Sequence, residues 1–106
     1  MTLVQFDFPF DGPFGHEMVA ALTGLAESIN LEPGFLWKIW TENPGAHEAG
    51  GIYLFATRAD AEAYVRKHSD RLKALGVDAV NVKMFDVNVP LTLVNRGPVP
   101  VAPPFH

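Results

Sequence analysis

Leu3, Val4, Phe6 and Phe8 crowd branched and aromatic residues into the first eight positions, so residues 2–8 predict a β-strand. The turn residues of "PFDGPFG" end it over 9–15. Past that point the period lengthens. Met18, Leu22, Leu25, Ala26 and Ile29 recur at helical spacing, with Glu17 and Glu27 off the stripe. Proline disfavours helical geometry in the residue before it, so this helix should stop before Pro33–Gly34. Two further strand-like runs, 35–42 and 50–56, flank "NPGAH", whose Pro and Gly predict an antiparallel hairpin. Thr57 is placed to cap a second helix with the inner stripe Ala61, Tyr64, Val65, His68, Leu72 and Leu75. Gly76 should end it in the left-handed conformation that glycine tolerates. Residues 77–87 predict a last strand, and "NVPLTLVNRG" a turn or short helix. "PVPVAPPFH" is too rich in proline for a helix or a central strand and should run extended.

The order β-α-β-β-α-β is the ferredoxin-like arrangement, an α+β fold with a four-stranded antiparallel sheet and both helices on one face. It spans residues 1–95 as one domain and leaves 96–106 as a proline-rich C-terminal tail. A sheet covered on one side should alternate polar with apolar. These strands do not. Phe35, Trp37 and Ile39 are expected on one face of the second strand, with Leu36 and Trp40 on the other. Tyr53 and Phe55 oppose Ile52 and Leu54, Phe6 and Phe8 oppose Leu3, and Val80, Val82 and Met84 oppose Phe85 and Val87. Two helices cover one face only. Large apolar patches are uncommon on monomers, so the other face predicts a second copy of the chain, a two-fold homodimer. Trp37 and Trp40 then fall on opposite faces with different jobs.

Composition narrows the partners. The chain has 106 residues, 48% of them hydrophobic, which suits one domain with a real core. Eight Lys and Arg against twelve Asp and Glu argue against a nucleic-acid surface, which needs clustered basic charge. No basic amphipathic stretch and no bilayer-length apolar run is present, which predicts no membrane partner. "MTLVQFDF" has no positive n-region and carries Asp7, so no signal peptide is expected and the compartment reads as cytoplasmic. Without cysteine there is no disulfide, thiolate nucleophile or Cys-based metal site.

The recognised chemical motifs are missing. "HEMVA" and "HEAGG" lack the second histidine of a zinc motif, and the four histidines are scattered, so no metal is expected. There is neither a phosphate loop nor a G-x-G-x-x-G nor a G-x-S-x-G elbow. The candidates are therefore single residues. His68 lies on the inner stripe of the second helix, where a histidine is either a satisfied core group or a general base over an apolar cavity. Tyr64, one turn away, and Tyr53 join it as catalytic candidates. Arg71 reads as solvent-facing. Trp37, Trp40, Phe55 and His47 are substrate-binding candidates, the aromatics as walls for a flat ligand or simply as core, His47 as a loop residue at the mouth. Gly50–Gly51 suggests a bulge or a close approach by other atoms.

"FDGPFG", "LAESINLEPGFLWKIWTEN", "HEAGGIYLF" and "KHSDRLKALGVDAVNVKMFDVNVPL" together resemble the YdhR family of monooxygenases over roughly residues 3 to 93. The resemblance implies a ferredoxin-like subunit that forms a dimeric α+β barrel. It also implies kinship with antibiotic-biosynthesis and quinol monooxygenases, which oxidise hydroxylated polycyclic aromatics or quinols with O₂ and no metal, flavin or haem. The family supplies no catalytic set to carry over, so the candidate residues rest on the pattern alone. The expectation is a cofactor-independent monooxygenase acting on a phenolic, polycyclic aromatic or quinol substrate. Two alternatives share the same pocket: a non-catalytic dimer that binds a small aromatic ligand, and a haem-binding or haem-degrading protein with His68 as axial ligand.

Overall fold

A computed structural model describes residues 1–100; the last part of the proline-rich tail, 101–106, lies outside the described residues. Strand β1 (Thr2–Pro9) leads into helix α1 (Gly15–Ile29), then strand β2 (Phe35–Asn43), a single 3₁₀ turn (Pro44–Ala46) and strand β3 (Glu48–Phe55). Helix α2 (Arg58–Ala74), strand β4 (Asn81–Asp86) and the short helix α3 (Val89–Val94) follow. The sheet order is β2-β3-β1-β4 with every neighbour antiparallel, the ferredoxin-like topology.

Local signals set the element ends. The Thr57 hydroxyl accepts the Asp60 N–H at 3.1 Å and caps α2. At the other end Gly76 adopts φ +88°, and the Gly76 and Val77 N–H groups bond back to the Lys73 and Leu72 carbonyls. That closure ties Val77 to the helix, which is why β4 starts at Asn81 rather than at 77. Its register with β1 runs from Asn81 opposite Asp7 to Asp86 opposite Thr2.

One face of the sheet carries the core. Val4 and Phe6 from β1, Tyr53 and Phe55 from β3, Ile29 from α1, and Ala61, Tyr64 and Leu72 from α2 form one buried cluster. Leu75, expected on the inner stripe of α2, is instead 70% exposed, because the chain turns at the helix end it occupies.

Strand β2 departs from strict alternation. A register irregularity between Phe35 and Trp37 sets Phe35 opposite Phe55 and Trp37 opposite Leu54. Leu36 is the extra residue, and the pleat is inverted beyond it. Phe35 therefore does not share a face with Trp37 and Ile39; it packs on the helix side with Lys38 and Trp40. Trp37 and Trp40 still point to opposite faces. On Trp37's side its indole N–H donates to the Pro98 carbonyl at 2.6 Å. Trp37 is on β2, the edge strand farthest from β4, so the chain crosses the whole sheet between Asp86 and Pro98. Val99 and Leu54 are buried, while Ile39 and Phe85 remain about half exposed at 51% and 47%.

Candidate active site

Between the helices and the sheet lies a cavity of about 120 Å³. Phe6 and Phe8 of β1, Met18, Leu22 and Leu25 of α1 and Leu72 of α2 make its apolar walls. Its polar atoms come from Lys38, Tyr53 and His68. A wider groove of about 470 Å³ lies along α1 and the β2 edge, and it shares Met18, Leu22 and Trp40 with the cavity. Trp40 thus stands where the inner space meets the outer one. At the groove's end the Glu42 carboxylate accepts the Gly15 N–H at the start of α1, at 3.1 and 3.2 Å.

Close backbone approach makes room for this arrangement. A Cβ on Gly51 would stand 2.7 Å from Lys38 Cε and 3.1 Å from Tyr53 Cε1. A Cβ on Gly50 would collide with the Phe6 carbonyl oxygen. The Gly50–Gly51 pair therefore marks a close approach from both sides of β3, as its position beside a strand suggests.

The rings of Tyr53, Tyr64 and His68 form one packed group. Tyr64 stacks on His68 with centroids 5.2 Å apart, and Phe6 meets His68 edge-on at 5.1 Å. Tyr64 O–H donates to Tyr53 O at 3.3 Å, and Tyr53 O is 3.5 Å from His68 Nε2. Donation in the order Tyr64, Tyr53, His68 satisfies these groups in turn and leaves His68 Nδ1 buried without a partner among the described residues.

The electrostatics are unusual for so apolar a place. Lys38 Nζ lies 3.2 Å above the Trp40 ring and 4.5 Å from the Tyr53 ring centroid. No acid pairs with it among the described residues. Burial, with the Arg71 charge added, lowers its pKa to about 7. Burial together with the Lys38 and Arg71 charges lowers His68 to about 3, so its imidazole is neutral and weakly basic. Burial pushes the phenols of Tyr53 and Tyr64 upward, and both stay protonated. Arg71 is half-buried rather than solvent-facing, and its Nη1 is buried without a partner.

The candidates read from the sequence divide accordingly. Tyr53, His68 and Trp40 line the cavity, and Tyr64 backs the first two. Phe55 lies in the core behind Tyr53, stacked at 6.3 Å, and is not among the lining residues. Trp37 is on the opposite face. His47 is exposed in the hairpin loop, 3.3 Å from Asp11, away from the cavity. Pattern reasoning passed over Lys38. The signal for it was there: a lone lysine inside the apolar run "FLWKIW". Among the described residues, no three of His, Cys, Asp and Glu come together as a metal-binding group, and no helix is long and apolar enough to cross a membrane.

A family described as "Putative mono-oxygenase ydhR" matches residues 3–98. The chain belongs to this family. No curated protein matches it. Among solved structures it is similar to SnoaB, a cofactor-independent oxygenase from Streptomyces nogalater, at 13% identity and a TM-score of 0.59, covering 82% of this chain and 92% of that one. It is also similar to the ActVA-Orf6 monooxygenase of Streptomyces coelicolor, solved with nanaomycin D, at 18% identity and a TM-score of 0.58, covering 95% and 92%. At these identities the likeness concerns the fold.

Proposed function

We propose that the protein is a cofactor-independent monooxygenase that oxidises a hydroxylated aromatic or quinol substrate with O₂. The observation that carries this reading is an apolar cavity lined also by Lys38, Tyr53 and His68, which neighbour one another. The family and the oxygenases of the same fold support it.

In this chemistry the substrate is its own reductant. Loss of the phenolic proton leaves an electron-rich anion. The anion passes one electron to O₂, and the resulting aryloxyl radical and superoxide combine into a carbon–oxygen bond. The peroxide takes up a proton, the O–O bond breaks, and the ring carbon loses its hydrogen as a proton. One oxygen atom remains as a carbonyl and the other leaves as water, so all four electrons come from the substrate. The protein binds the ring between Trp40, Phe6 and Phe8 and keeps water out, and Tyr53 can turn its single O–H from His68 to developing oxyanion charge. His68, held by Tyr53, accepts a hydrogen bond without competing for the proton.

A second copy of the chain covers the open sheet face and completes the dimeric barrel in this reading, with Ile39 and Phe85 at the contact. The test is aerobic and anaerobic incubation with anthrone and with a quinol. The expected result is product only with O₂, at one O₂ consumed per product. Binding of these compounds with no O₂-dependent product would leave a non-catalytic aromatic-binding protein; absence of binding would end the aromatic reading.

A further inference from the structure

Lys38 lines the cavity with no acid paired to it among the described residues. Buried charges in proteins are normally paired, because an isolated one loses its hydration without compensation. Lys38 faces Trp40 on its own strand, Tyr53 on β3, and His68 and Arg71 on α2. None of these is an acid. Arg71 brings a second cation with a buried, unpartnered nitrogen. The acids nearby are engaged elsewhere: Glu32 is bound by Lys67 at 2.6 Å, and Glu42 is held at the start of α1. An anionic ligand would supply the counter-charge that these side chains lack.

We propose that Lys38 is the group that receives the substrate as an anion, taking its phenolic proton and then pairing as an ammonium with the phenolate oxygen. The step balances simply: the O–H bond breaks, the amine nitrogen gains the proton, and neutral phenol plus neutral amine become an ion pair. Where the amine is already charged, the phenol's proton goes to water and the same pair results. The geometry suits this. Nζ stands inside the cavity wall, between the Trp40 and Tyr53 rings that bound the space for a flat ring. A lysine with a pKa of about 7 is better matched to a phenolic proton near neutral pH than a histidine at about 3. A phenolate beside it relieves the unpaired charge, so ligand ionisation and lysine protonation reinforce one another.

This rests on the reading of the cavity as a site for a hydroxylated aromatic, and the experiment separates the two. 4-Nitrophenol is the probe, because its anion has its own absorption band and it is not consumed. It is titrated into the wild-type protein at about pH 6, where free nitrophenol is mostly neutral. The expected result is bound nitrophenolate, with the ligand's ionisation favoured about tenfold or more over solution, an apparent pKa lower by about one unit. Lys38→Met should still bind the phenol but lose that shift, and should melt at a higher temperature, because an unpaired buried amine has been removed. Lys83→Met, at an exposed lysine on β4 outside the cavity, should keep the shift. Bound but neutral nitrophenol in the wild type, or a shift that survives Lys38→Met, overturns the role of Lys38 and leaves the aromatic site standing. Failure of nitrophenol to bind overturns both.

Discussion

His68 shows how far environment overrides residue type. An unperturbed histidine titrates near neutral pH and is the natural guess for a base. Here the ring is sealed between Phe6 and Tyr64 with two cations close by, and its pKa falls to about 3. The consequence for stability has a definite sign. Between the unfolded pKa of 6.5 and about 3, the unfolded chain binds the proton more readily than the folded one, so stability falls as pH drops through that window. His68→Gln should flatten this part of a plot of melting temperature against pH, and an unchanged slope would remove His68 as its source. Lys38 works in the same direction over a higher window: stability should rise with pH from about 7 to 10.5. The inner position of His68 was legible from spacing along α2. Its basicity was not, because the cations that suppress it stand on β2 and at Arg71 and meet it only in the fold.

At the scale of elements the sequence was more transparent. Every strand and helix of the βαββαβ order was legible from apolar period, caps and turn residues, and the errors lie at ends and in phase. The phase error in β2 comes from one inserted residue. Alternation is read on the assumption of an unbroken pleat, and the bulge at Leu36 is set by pairing with β3, a partner far along the chain. Alternation alone also leaves open which face of β2 meets the helices, so it does not single out Lys38, which shares Trp40's face. Gly50 and Gly51 provide the matching test on β3. A Cβ at Gly50 meets the backbone of β1, which cannot yield without breaking strand pairing, so Gly50→Ala should cost about 2–3 kcal/mol in chemical denaturation. A Cβ at Gly51 meets mainly the Lys38 stem, which can swing away. Gly51→Ala should therefore cost less than about 1 kcal/mol yet weaken the ionisation of bound nitrophenol. Equal losses of stability in the two variants would mean that Gly51 serves the fold rather than the position of Lys38.

For the whole molecule the unresolved balance is that of the sheet's second face. The chain covers part of it itself: the segment after α3 reaches Trp37, and Leu54 is fully buried. Ile39 and Phe85, on the two edge strands, stay about half exposed, and Leu3 and Ile52 lie between them on the same face. An apolar band spanning all four strands is what a two-fold partner would cover. Sedimentation should give a dimer for the wild type and a monomer for Ile39→Lys combined with Phe85→Lys; a monomeric wild type would sink this assignment. The cavity makes a sharper demand. Its walls come from β1, β2, β3, α1 and α2 of a single chain, all on the helix-covered face. The monomeric double variant should therefore still bind 4-nitrophenol with the same ionisation shift, provided it keeps the wild-type melting transition. If binding vanished while the fold persisted, the partner would have to supply part of the site, and the separation between a helix-covered cavity face and an outer assembly face would be wrong.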